Sequence, residues 1–209
     1  LIDKHLESLG INSKIPPVSL LSDDFPTEVD KFGKTPKSKA SEMEHAIRRH
    51  IKVNMDKDPA LYKRFLKRME EILERYSGNW DMITEEFNQL RDDLNKGRDN
   101  ENEESGLSVQ ELPFFDLIRV EAYQEEKIEE DEKEAIKSLT IDIVELLRDA
   151  INKPKFWRER DSEIRRLEGE LTQMLLFTEV EKVSDIHAKL SIEIMALAKK
   201  RHEELTKDR

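Results

Sequence analysis

Apolar residues return at alternating steps of three and four through two consecutive stretches. The first runs Tyr62, Phe65, Met69, Ile72 and Tyr76; the second runs Trp80, Ile83, Phe87, Leu90 and Leu94. At about 100° per residue this spacing lines one face of a helix and fits no other regular structure. Ser77-Gly78 stops the first helix and Asn79 is placed to cap the second. With so short a connection the pair is expected to pack as an antiparallel hairpin. Charged residues make up 40% of the chain and hydrophobic ones 36%. That balance suits helices that bury one stripe each and leave the rest in water.

The pattern extends in both directions. Thr35-Pro36 is a helix start, a capping hydroxyl followed by proline at the first turn. Met43, Ala46, Ile47, His50, Ile51 and Val53 follow on one side. Asp58-Pro59 repeats the signal ahead of Tyr62. Ser108-Val109-Gln110-Glu111 has the form of a capping box before Phe114, Phe115, Leu117 and Ile118. A run through Ile136, Leu139, Ile143, Leu146 and Leu147 is broken by Asn152-Lys153-Pro154. Phe156-Trp157 then leads a helix with Ile164, Leu167, Leu171, Met174 and Leu175. A last helix carries Val183, Ile186, Leu190, Ile194 and Leu197. Six glycines and seven prolines are too few for a loop-rich or all-β protein. The fold class is therefore all-α, with six to eight helices in an irregular bundle, as one body or two helical subdomains.

Residues 1–34 read as an N-terminal connector. Leu1 to Leu9 is the tail of a helix ended by Gly10, and an irregular stretch with Pro16-Pro17, Pro26 and Gly33 follows. Residues 35–97 form a helical subdomain containing the hairpin, and 98–107 a polar linker that overlaps the polar run from Asn95 to Gly106. Residues 108–209 form a C-terminal helical subdomain. A chain that opens on leucine, with its first methionine at Met43, reads as a piece of something longer.

The 209 residues contain no cysteine, which removes disulfides, thiolate metal sites and cysteine nucleophiles and fits a cytoplasmic location. No apolar run approaches the roughly 20 residues that cross a bilayer. Residues 101–134 hold thirteen acidic and three basic side chains, ten of the eleven net negative charges. Without a basic excess the chain lacks the counterion-release drive for autonomous nucleic-acid binding. The one local exception runs from Lys34 to Lys52, where Lys37, Lys39, Arg48, Arg49 and Lys52 are candidate contacts to DNA or to a partner.

No phosphate loop, dinucleotide-binding turn, nucleophile elbow or helical zinc motif is present. His45 and His50, five apart, fall on different faces of a helix and do not converge on a metal. Asp116, Glu125 and Lys127 satisfy the loose spacing of metal-dependent nucleases. That chemistry needs the Glu-x-Lys on a strand, where both side chains point to one face, whereas this stretch reads as helix. A solvated acidic face is the better account of it. Phe156-Trp157, beside Lys155, Arg158 and Arg160, reads as a core anchor rather than a stacking platform. Catalytic, cofactor-binding and metal-ligating residues are therefore none.

Three segments resemble the region that follows the motor domains in type I restriction enzyme R subunits. The first is Lys34-Thr35-Pro36-Lys37-Ser38-Lys39-Ala40 running into Glu44-His45-Ala46-Ile47-Arg48-Arg49-His50-Ile51. The second is Asp58-Pro59-Ala60-Leu61-Tyr62 with Leu73-Glu74 and Tyr76-Ser77-Gly78-Asn79-Trp80. The third joins Gly106-Leu107-Ser108, Glu111 and Phe114 to Phe156-Trp157, Arg158, Ile164 and Leu167. Where that family has Asp-Trp-Trp, this chain has Lys155-Phe156-Trp157, and no role is carried over to the missing acidic residue. The resemblance implies a parent that is a type I site-specific deoxyribonuclease and ATPase, with its ATP and Mg²⁺ held in other domains and no cofactor here. It implies a non-catalytic helical region that docks the motor subunit onto the modification and specificity subunits. The alternative is an accessory domain that touches DNA through the basic helix around Lys34–Lys52. No membrane partner is expected.

Overall fold

The computed structural model describes residues 20–22, 24–124 and 126–207, and every regular element among them is a helix. The chain divides into two compact units. One contains Leu1–Met55 and Leu61–Gly97, the other Asp56–Ala60 and Arg98–Arg209.

In the first unit the helices are α1 (Phe25–Phe32), α2 (Pro36–Asn54), α3 (Pro59–Arg75) and α4 (Trp80–Lys96). Thr35 caps α2 as a capping box: its Oγ1 accepts from the Ser38 amide at 3.2 Å, and the Thr35 amide donates to Ser38 Oγ at 3.0 Å. Asn79 caps α4 through the Met82 amide. α3 and α4 run antiparallel: Arg68 meets Asp93 at 2.6 Å, and nearer the turn the Tyr76 hydroxyl donates to Glu86 at 3.2 Å. α2 packs against α4. Met43, Ile47 and Ile51 from α2, Phe65, Met69 and Ile72 from α3 and Ile83, Phe87 and Leu90 from α4 share one core. Each is worth about 1.5–3 kcal/mol of burial.

α1 lies inside the stretch read as an irregular connector. Pro26 sits in its first turn, where the missing N–H costs nothing, and Phe25 and Val29 are buried against the shared core. Arg91 of α4 fastens the preceding segment, donating from Nε to the Leu20 carbonyl at 2.8 Å and from its terminal nitrogen to Ser22 at 2.9 Å. Gly33 joins α1 to α2 at close quarters. A Cβ there would stand 2.5 Å from Lys39 Cγ and 2.9 Å from the Val29 carbonyl oxygen. The opening stretch from Leu1 to Gly10 and Pro16-Pro17 lie outside the described residues.

The second unit holds α5 (Asp99–Ser105), α6 (Leu112–Tyr123), α7 (Glu130–Ile151), α8 (Phe156–Glu159), α9 (Asp161–Leu176), α10 (Glu181–Asp185), α11 (His187–Lys200) and α12 (His202–Thr206). Its core joins Phe114, Phe115 and Ile118 of α6 to Ile143 and Leu147 of α7. Leu167, Leu171 and Leu175 of α9 and Leu190 and Ile194 of α11 complete it. Ser108 and Glu111 exchange hydrogen bonds as the capping-box pattern implies, closing the turn that leads into α6. The stretch read as a polar linker contains α5. Its backbone is turned by Gly97 at φ 58° and ended by Gly106 in the left-handed region. The final run is three helices rather than one, interrupted at Ile186 and Arg201. Asp56–Ala60 is held within this unit: Lys57 Nζ meets Glu204 at 2.9 Å, and Arg201 donates to the Lys57 carbonyl at 2.9 Å.

Candidate interaction surfaces

The five cations singled out on α2 do not share one environment. Ala40, Met43, Ile47 and Ile51 form its buried face. Lys39 lies on one flank of that face and pairs with Asp30 of α1 at 2.5 Å. On the other flank Lys37 Nζ stands 5.4 Å from the Trp80 ring centroid, and Arg48 pairs with Glu44 at 2.9 Å. Arg49 and Lys52 lie on the side of α2 opposite its buried face, Arg49 half-buried and Lys52 exposed, with Val53 70% exposed beside it. His45 is exposed and His50 half-buried, its ring 5.9 Å from that of Tyr62. Burial pushes the His50 pKa below its ordinary value, so it remains a neutral packing residue.

The second unit contains a charged cluster that the sequence pattern does not announce. Arg98, 4% exposed, donates from Nε and its terminal nitrogen to both Asp58 oxygens at 2.9 and 2.7 Å. It also donates to Asp116 at 2.7 Å and to Glu101. Asp116 accepts a further bond from Arg119 at 3.4 Å. Burial opposes the charge on Arg98, but the hydrogen bonds and negative charges of Asp58 and Asp116 outweigh it and hold the guanidinium protonated. Only one planar, five-donor side chain could serve three carboxylates in this way.

That engagement bears on the nuclease-like spacing. Asp116 is 5% exposed and committed to Arg98, whereas Lys127 is exposed and pairs with Glu129 at 3.7 Å. Glu125 lies outside the described residues. Among the described residues no three histidine or carboxylate side chains are grouped to hold a metal. Phe156 is 1% exposed, with Trp157 packed edge-on to it at 5.0 Å and donating to His202 at 3.4 Å. Both rings are taken up by packing and are not free to stack on a base. In the acidic segment Glu126, Glu129, Glu130, Asp131 and Glu134 are exposed. Several take a local lysine, as Glu134 does Lys137 at 2.6 Å.

A surface of helices bearing charged and apolar side chains can bind macromolecules, and its family gives that capacity a context. The chain belongs to the C-terminal family of type I restriction enzyme HindI endonuclease subunit-like proteins, whose model matches residues 9–180. It is 26% identical over 180 residues to a Methanocaldococcus jannaschii protein assigned as the type I restriction enzyme MjaIXP endonuclease subunit. The match covers 81% of this chain and 16% of that protein. No solved structure matches the chain. Among the described residues no helix is long and apolar enough to cross a membrane.

Proposed function

We propose that this chain is a docking region through which a type I restriction endonuclease subunit joins a multisubunit restriction–modification complex in the cytoplasm. Its partner on this reading is the modification–specificity methyltransferase core. DNA cleavage and ATP-driven translocation belong to other parts of such a subunit, together with their ATP and Mg²⁺, and this chain has no catalytic role. The observation that carries the reading is the exposed acidic segment around Glu126–Glu134 in a chain of this family. A concentrated negative patch attracts and orients a basic protein face and is repelled by DNA phosphates. The test is a titration of the purified chain against the modification–specificity complex, with and without DNA, followed by light scattering. Saturable association without DNA is the expected outcome; its absence at every salt concentration refutes the docking role.

A second reading rests on the half-buried Arg49 and the exposed Lys52, neither with a carboxylate within 4 Å among the described residues. They suit contact with the phosphates of DNA held by the full complex. Charge reversal of both would then weaken DNA retention by the complex and leave assembly intact.

A further inference from the structure

α9 and α11 of the second unit lie side by side and run antiparallel. Thr172 Oγ1 on α9 donates to Ser191 Oγ on α11 at 2.9 Å, and Ser184, just ahead of α11, donates to the Leu176 carbonyl at 2.7 Å. At about 100° per residue, Arg165, Gly169 and Leu176 fall within about 40° of one another. They face away from the buried Leu167, Leu171 and Leu175. On α11, Ile192 and Lys199 are seven apart and share a face. That face lies between the direction of Ser191, which meets α9, and that of Lys189, which meets Glu121. The antiparallel register puts Ile192 level with Gly169, and Arg165 and Lys199 toward one end.

This strip has three features that burial within the unit does not explain. Ile192 is 62% exposed, Leu176 39% and the adjoining Phe177 79%. Gly169 sits in the middle of a sixteen-residue helix, and a Cβ there would meet nothing within 4 Å. Such a glycine costs the free helix about 1 kcal/mol relative to alanine with no return from internal packing. Its missing side chain leaves a shallow gap in the surface of α9, where another backbone can approach closely. Finally, Arg165 and Lys199 are exposed and have no carboxylate within 4 Å among the described residues, whereas nearby Lys153 and Arg160 both pair with Glu163. A seat with exposed apolar side chains, a gap in its surface and positive charge without an ion-pair partner at one end matches an amphipathic helix that carries acidic residues at one of its ends.

We infer that the α9–α11 strip receives an amphipathic, terminally acidic helix of the partner protein, laid across Gly169. The inference rests on the docking reading and names the face that does the docking. The acidic segment and the strip then divide the work: the first attracts at long range, the second supplies the short-range fit.

The test measures affinity for the modification–specificity complex alongside the thermal midpoint of the free chain. The variants are Gly169→Leu, Ile192→Asp and the double change Arg165→Glu with Lys199→Glu. Each is expected to weaken binding tenfold or more. Gly169→Leu is the decisive one, because leucine is the better helix former and projects into open space. Its midpoint should hold or rise while its affinity falls, which separates a blocked seat from a damaged fold. If the unaltered chain binds and all three variants bind equally well, the strip is not the seat and the inference is overturned while docking stands. If the unaltered chain does not bind, the docking reading itself fails. Variants that abolish self-association or DNA binding instead would assign the strip to a second copy or to nucleic acid, and would equally overturn the helix proposal.

Discussion

Arg98 shows how much one residue's meaning depends on surroundings that are distant in sequence. Its carboxylate partners come from positions 58, 101 and 116, and the guanidinium is almost wholly enclosed. Removing the charge deprives the buried Asp58 and Asp116 of the guanidinium they share. Arg98→Met is therefore expected to cost about 3–5 kcal/mol. Arg68 pairs with Asp93 at the similar distance of 2.6 Å, yet both side chains are about two-fifths exposed. Water already solvates that pair, and Arg68→Met should cost about 1 kcal/mol or less. Urea unfolding of the two variants checks the contrast, and equal losses would refute the structural weight placed on the Arg98 cluster. Reading residue types alone singled out the basic residues of α2 and passed over Arg98. An arginine in a polar run looks the same whether it is solvated or buried, because its partners lie up to 40 positions away.

At the scale of the element, starts were more legible than ends. Thr35, Asn79 and the Ser108–Glu111 pair act where their side chains can reach backbone amides two or three residues on, so the signal is local. α1 and α5 were hidden for opposite reasons. The first follows a proline-rich stretch; the second is a seven-residue run of polar and acidic residues with no apolar stripe to give it away. Both are short and take their place from neighbours rather than from periodicity. The junction of α1 with α2 carries a definite expectation. A methyl group at Gly33 would overlap the Val29 carbonyl, which cannot swing aside as the Lys39 side chain can. Gly33→Ala should lower stability by about 1–3 kcal/mol, read as a lowered thermal midpoint. An unchanged midpoint would mean that the junction relaxes freely.

For the whole molecule, the uneven distribution of charge matters more than its sum. Nearly all of the net negative charge lies between residues 101 and 134, so association with a basic partner should be steered from a distance. The association rate with the modification–specificity complex is expected to fall about tenfold or more between roughly 0.05 and 0.5 M salt, with the dissociation rate changing far less. Stopped-flow measurement across that range checks it; a salt-independent rate would count against steering. The helical class, the principal apolar stripes, the caps and the acidic segment were all determined by the sequence, because each depends on residues within a few positions of one another. Only the tertiary structure decided that Asp56–Ala60 groups with the second unit, that Asp116 is spent on Arg98, and that Gly169 and Ile192 come level on adjoining helices. Those facts depend on which distant segments touch, and a helical stripe looks the same whichever neighbour covers it, or when none does.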